Sequence, residues 1–210
     1  GHRVSMESVA LLQRLNEPAE LPLAMTMLST TSDWVGTILD YSSLYEEWLV
    51  SVRQTGRPRD EAVALLGLGW IYRNSDNRRG KQLILDAAQI AARIGDYLLL
   101  HVCLHCAGVV SIEREERDHA AELFHRAIDA AQEINARVDV QMPYYFLGIL
   151  AHDRQEYREA ARLFRSALEI AYETGDHGQV ASGIYRFGRI EAVVGDKVRA
   201  VELIALSSQF

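Results

Sequence analysis

The chain has only two cysteines, Cys103 and Cys106, in 210 residues. Two are too few for a disulfide framework, and no charged-then-apolar leader pattern opens the sequence. Both absences point to a cytoplasmic protein. Proline is equally scarce. Pro18, Pro22, Pro58 and Pro143 all fall near expected helix starts or between helices, where a missing N–H is tolerated. No uncharged apolar run approaches the roughly 20 residues that a membrane helix needs. Positive charge is not in excess: 22 Lys and Arg stand against 29 Asp and Glu, a net charge of −7. Direct nucleic-acid binding wants a basic footprint, so this segment is not expected to bind it. Catalytic fingerprints are missing too. There is no GxxxxGK[ST] phosphate loop, no GxGxxG after a strand, no HExxH and no GxSxG. The expectation is a non-enzyme without a cofactor. What remains is 49% apolar and 24% charged, ordinary for a folded globular chain rather than a disordered one.

What is present is a repeat. Ala160, Phe164 and Ala167 recur forty residues earlier as Ala120, Phe124 and Ala127. Forty before that stand Gly80, Ile84 and Ala87, and forty after Ala160 stand Ala200, Ile204 and Ser207. Gly108, Gly148 and Gly188 keep the same spacing, and a turn recurs as Gly95-Asp96, Asn135-Ala136 and Gly175-Asp176. Each copy holds two helical segments, because apolar residues return at i, i+3, i+4 and i+7. Nothing alternates with period two. The spacing predicts eleven helices, near residues 4–15, 19–31, 34–55, 59–74, 78–94, 97–114, 117–135, 139–153, 156–174, 178–194 and 197–208. The clear repeats are 59–96, 97–136, 137–176 and 177–210, with degenerate repeats over 1–58. Gly67 and Gly69 lie inside a helix and read as close helix–helix contacts. The chain starts at Gly1-His2 without Met and stops at Phe210 inside a helix pattern. It is therefore expected to be a single repeat domain cut from a longer array.

This pattern resembles the tetratricopeptide repeat, a helix–turn–helix unit with Leu-Gly in the first helix and Ala, a large apolar residue and Ala in the second. Leu147-Gly148 with Ala160, Phe164 and Ala167 fits residue by residue. Gly108 with Ala120, Phe124 and Ala127 also fits. Gly188 with Ala200 and Ile204 fits loosely, and Leu68 with Gly80 departs at both small positions. The closing proline is absent, and the period is forty rather than about 34. Long repeats of this kind look like the arrays in large bacterial regulators of the LuxR and related STAND type. The resemblance implies an all-α fold, an α–α superhelix or solenoid, with the first helix of each repeat lining a concave groove. Counting from the small position places Met142, Tyr145, Ile149, His152 and Asp153 in that groove. The neighbouring repeats would add Val102, His105, Val109, Ile112 and Glu113, then Ser182, Tyr185, Arg189, Ala192 and Val193, and, further back, Ala62, Leu65, Gly69, Tyr72 and Arg73. Aromatic residues and arginine are the types that dominate binding hot spots. The groove residues expected to bind are therefore Tyr72, Arg73, His105, Val109, Glu113, Met142, Tyr145, His152, Asp153, Tyr185 and Arg189.

Two further clusters have bland readings. His101 and His105 share a helix face, but a closed zinc site needs four converging ligands. Cys103 and Cys106 read as small apolar packing residues. Glu116/His119 and Glu122/His125 sit on one helix six residues apart, about 240° of rotation, so they cannot converge on one metal. No metal is expected. The leading expectation is the sensor or interaction arm of a cytoplasmic transcriptional regulator, holding a protein, a peptide or a small effector. The alternative is a free-standing adaptor that scaffolds protein complexes. That alternative expects capping helices with polar outer faces, against which the apolar last helix, with Val201, Leu203, Ile204, Leu206 and Phe210, argues; it also expects a homodimer through this exposed edge.

Overall fold

A computed structural model describes residues 42–195 and 197–209. The helices expected over 4–15 and 19–31, and the start of that over 34–55, lie outside the described residues. Among the described residues there are nine α-helices and no strand. They are α1 (Ser42–Thr55), α2 (Pro58–Tyr72), α3 (Asn77–Ile94), α4 (Tyr97–Glu113) and α5 (Arg117–Glu133). Then follow α6 (Gln141–Asp153), α7 (Tyr157–Thr174), α8 (His177–Val194) and α9 (Lys197–Ser207). The chain divides into two compact units, one ending at Arg114 and the other beginning at Glu115. In each unit consecutive helices pack on one another as hairpins, the arrangement that short links impose on antiparallel neighbours.

The links explain the helix ends. Gly95 and Gly175 stop α3 and α7 in the left-handed conformation, with φ of 70° and 71°. The next amide then bonds back across the turn, Asp96 to the Ala91 carbonyl at 3.0 Å and Asp176 to that of Ala171 at 2.9 Å. The same two aspartates start the following helix. Asp96 accepts from the Leu99 amide and Asp176 from the Gln179 amide, which satisfies a donor that the first turn leaves orphaned. One dipeptide thus ends a helix and begins the next. The third copy of this turn departs from the pattern. Asn135 supplies the left-handed residue, with φ of 53°, but Ala136 has no side chain that can cap. Pro143 adds a second defect, because it has no N–H to give to Asp139. The helix expected from residue 139 is accordingly a 3₁₀ turn over Arg137–Val140, and α6 begins only at Gln141.

Small residues set the helix–helix distance. A Cβ on Gly148 would stand 2.7 Å from the Phe164 ring, and one on Gly188 would stand 2.7 Å from Ile204. Ala160, Phe164 and Ala171 on α7 are buried to zero or nearly so, as are Ala120, Phe124 and Ala127 on α5. Phe124 also stacks on Phe146 of α6, at 5.3 Å between centroids and 4° between planes. The first unit repeats this theme with backbone against backbone. A Cβ on Gly69 would lie 2.7 Å from the Gly80 carbonyl oxygen and 2.7 Å from Ile84. Gly69, and not Leu68, is therefore the small position of α2. The link after α2 runs Arg73-Asn74-Ser75-Asp76, four residues, where the links after α4 and α6 have three. The extra residue slides α2 by one position relative to the other first helices.

Polar contacts on the surface follow the same spacing. Arg59 meets Asp96 at 2.9 Å, 37 residues apart, and Arg137 meets Glu173 at 3.0 Å, 36 apart. Arg117 pairs with Asp153 at 3.8 Å, and the adjoining Asp118 pairs with Arg154. These pairs are solvent-exposed, so each contributes little to stability. Gly148→Ala is expected to cost about 1 to 3 kcal/mol, because its methyl must displace a buried phenyl ring. At Gly178 an added Cβ meets nothing closer than an Asp176 oxygen at 3.5 Å. Gly178→Ala should therefore leave stability unchanged or raise it by about 0.5 kcal/mol. Thermal denaturation of the two variants side by side checks both.

Candidate functional site

The groove residues expected from sequence divide between the two units. In the first unit, α2 and α4 carry them. The one-residue slide of α2 changes its set: Ala62 and Leu65 are buried, while Val63, Leu66, Trp70, Arg73 and Asn74 keep part of their surface in solvent. Trp70 was not among the expected residues. Its partner is Arg73, whose guanidinium carbon lies 3.6 Å from the indole centroid, an arrangement in which the ring face attracts the cation. Tyr72 turns elsewhere. Its hydroxyl donates to Glu46 of α1 at 2.6 Å, and Arg79 of α3 lies over its ring at 4.1 Å. That hydrogen bond, with partial burial, holds the phenol above its usual pKa, against the pull of Arg79. Tyr72 is thus tied into the α1–α2–α3 packing.

On α4, Val109 is half-buried, and the exposed Glu113 accepts from the Asn77 amide at 3.3 Å. His105 stacks on His101, with ring centroids 6.4 Å apart and planes 16° from parallel. Burial, and then the neighbouring His101, lower the His105 pKa from 6.5 to about 4. Burial likewise pushes the Cys103 thiol well above its ordinary value, which keeps it protonated and unreactive. Among the described residues no group of three or more His, Cys, Asp or Glu side chains is placed to hold a metal ion. On α5, Glu122 contacts His119 at 3.6 Å and Arg126 at 3.9 Å on an exposed face.

In the second unit, α6 and α8 carry the expected residues. Tyr145 rests against Phe164 at 5.7 Å between centroids, and its hydroxyl accepts from Arg186 Nε at 3.2 Å. Arg186, absent from the expected set, also leans over the Tyr145 ring at 5.5 Å. Tyr185 and Arg189 flank it on α8. Tyr185 is 40% exposed and Arg189 is exposed, and neither makes a hydrogen bond, ion pair or ring contact among the described residues. Met142 is half-buried on α6. His152 and Asp153 lie at the far end of α6. The His152 ring packs edge-on against Tyr157 at 5.6 Å, and Asp153 serves Arg117. In this unit Tyr145 and Arg186 pair across α6 and α8, Tyr185 and Arg189 share an exposed face of α8, and His152 and Asp153 belong to the corner between α6 and α7.

No protein-family model matches the chain, and no curated protein matches it. Solved structures do. The chain is similar to BtubC (BKLC) from P. vanneervenii, with a TM-score of 0.82 and 17% identity over 99% of this chain and 88% of that one. It is also similar to a putative kinesin light chain from Podosopora anserina with nearly identical TPR-like repeats, with a TM-score of 0.71 and 15% identity over 91% and 94% of the two chains. A third likeness is to a Signal Transduction ATPase with Numerous Domains that has a tetratricopeptide repeat sensor, from Pyrococcus horikoshii. There the TM-score is 0.69 at 14% identity, over 99% of this chain and 36% of that one. The fold is thus all-α and of the tetratricopeptide-like repeat class. No helix among the described residues is long and apolar enough to cross a membrane.

The His105 shift has a consequence for stability. Its pKa is 6.5 unfolded and about 4 folded, so between those values the unfolded chain binds more protons. Stability is then full above pH 6.5 and falls as the pH drops towards 4. Urea denaturation at pH 7 and pH 4.5 should show a loss of about 2 kcal/mol from this group. His105→Gln should shrink that difference by the same amount.

Proposed function

We propose that this chain is a non-enzymatic binding array whose first-helix faces hold a protein or peptide segment, or a small effector. In the fuller form of this reading it is the sensor arm of a larger cytoplasmic transcriptional regulator. The carrying observation is the outward face of α8. Tyr185 and Arg189 stand there without internal partners, beside an Arg186 already oriented by Tyr145. A fold does not need an exposed tyrosine and arginine side by side, whereas binding hot spots are enriched in both. Helical repeats present extended surfaces of this kind to their partners. The regulator role is supported by the likeness to a protein whose repeats are described as a sensor. Bound ligand would switch such a parent only by preferring one of its states.

The reading frame on both sides of this segment tests the regulator role. A phosphate-loop or helix-turn-helix module in frame is the expected result; a start and a stop codon directly flanking the segment would overturn it. Binding is tested on a peptide array with the double variant Tyr185→Ala, Arg189→Ala. Both side chains lack internal partners, so the variant should melt like the parent. Array peptides held by the parent should lose affinity by about tenfold or more; equal affinity removes this face from the account.

A second reading is the free-standing adaptor, and the homodimer expected with it has a surface on α9. Val198 and Val201 are each 68% exposed there. At the place of Val198 the earlier second helices carry Arg158 and Asp118, and at the place of Leu206 they carry Ser166 and Arg126. An apolar strip in place of charged and polar residues marks a contact surface. Light scattering should then show a concentration-dependent dimer that Val201→Glu dissolves. A monomer at every concentration would end this reading.

A further inference from the structure

The second unit contains a cleft of about 550 Å³ formed by the end of α5, the Asn135–Val140 link, α6 and α7. It shares no residue with the faces of α6 and α8 described above. Its volume falls in the range of small-molecule sites. Three departures from the repeat fall in the lining or, for Pro143, next to it. Ala136 stands where the other copies have Asp96 and Asp176. Pro143 stands where they have Cys103 and Gly183, and Tyr144 replaces Leu104 and Ile184. The first two replace the opening helical turn with a 3₁₀ turn. The third places a phenol among apolar neighbours. Val140 and Ile170 are buried, Tyr144 is partly so, and Asn135, Arg137 and Glu169 stand exposed at the rim.

The charges do not cancel within the cleft. Arg137 is neutralised by Glu173 outside the lining, at 3.0 Å. Glu169 makes no hydrogen bond or ion pair among the described residues. The cleft therefore offers an unmatched carboxylate, an aromatic ring and an apolar floor. A carboxylate attracts a cation, a ring face adds to that attraction, and the floor suits methylene groups. We propose that this cleft binds an organic cation, an amine or guanidinium carried on an apolar stem. That group can belong to a free amine or to an arginine or lysine side chain of another protein.

The probes are agmatine, a free guanidinium-amine, and the blocked peptide Gly-Arg-Gly, titrated separately into the full chain and followed by amide NMR. At least one should give saturable shifts at Asn135, Ala136 and Ser166. Saturation by agmatine alone assigns the cleft to free amines, and saturation by the peptide alone assigns it to a protein side chain; either supports the proposal. Glu169→Gln removes an exposed charge with no internal partner, so its fold is expected to survive, and it should weaken binding by about tenfold. Tyr144→Leu restores the residue of the neighbouring repeat and should weaken binding similarly. No saturation by either probe up to about 10 mM, or an affinity within about twofold in Glu169→Gln, overturns the proposal.

Discussion

Where a helix carries glycine at its point of contact, the neighbouring helix can approach until the backbone itself is the contact surface. Three hairpins use this approach, α2–α3, α6–α7 and α8–α9. Phe164 fills the space over Gly148, Ile204 fills that over Gly188, and Ile84 fills that over Gly69. Phe164 and Ile84 are fully buried, so neither has free space to move into. Helix spacing within those three hairpins follows from that fit. Interiors this dense transmit a one-methyl change rather than absorb it.

The same constraint decides which polar side chains are taken up by packing and which are left exposed. Tyr72 and His152 look alike in sequence, each a polar ring on a first helix, yet both are absorbed into packing. Tyr145 occupies a middle case: its ring braces Phe164, and its hydroxyl holds Arg186 in place. Tyr185 and Arg189, from the set expected in the groove, make no hydrogen bond, ion pair or ring contact among the described residues. A preorganised arginine beside two free groups is the arrangement in which affinity is least eroded by side-chain ordering.

Fold class and repeat order were legible from the small–large–small spacing, because that spacing is itself the packing contact. Misreadings arose where a local rule overrode the period. Counting by forty runs through the longer link at Arg73–Asp76 and so names Leu65 and Gly69, which are buried, whereas Trp70, one position on from Gly69, keeps part of its surface in solvent. The signal was present: Gly69 is the residue on α2 that allows a close approach to Gly80. The 3₁₀ turn at Arg137–Val140 was signalled by Ala136 and Pro143 together, each of which withholds a hydrogen bond that a helix start uses. Arg186 was missed because it acts through a tyrosine 41 residues away, a pairing that helical spacing alone does not suggest. The cleft beside Tyr144 joins residues from four segments, and no single stretch announces it.

The turn that both ends one helix and starts the next leaves no slack between repeats. One residue inserted into Gly95-Asp96 or Gly175-Asp176 would separate the left-handed residue that closes one helix from the aspartate that caps the next. The link inside the first repeat, by contrast, has already taken an extra residue with only a one-position slide of α2. Length variation in an array of this design is therefore quantised. Whole repeats can be gained or lost between the Gly-Asp joints, and single residues can be gained or lost only within a repeat.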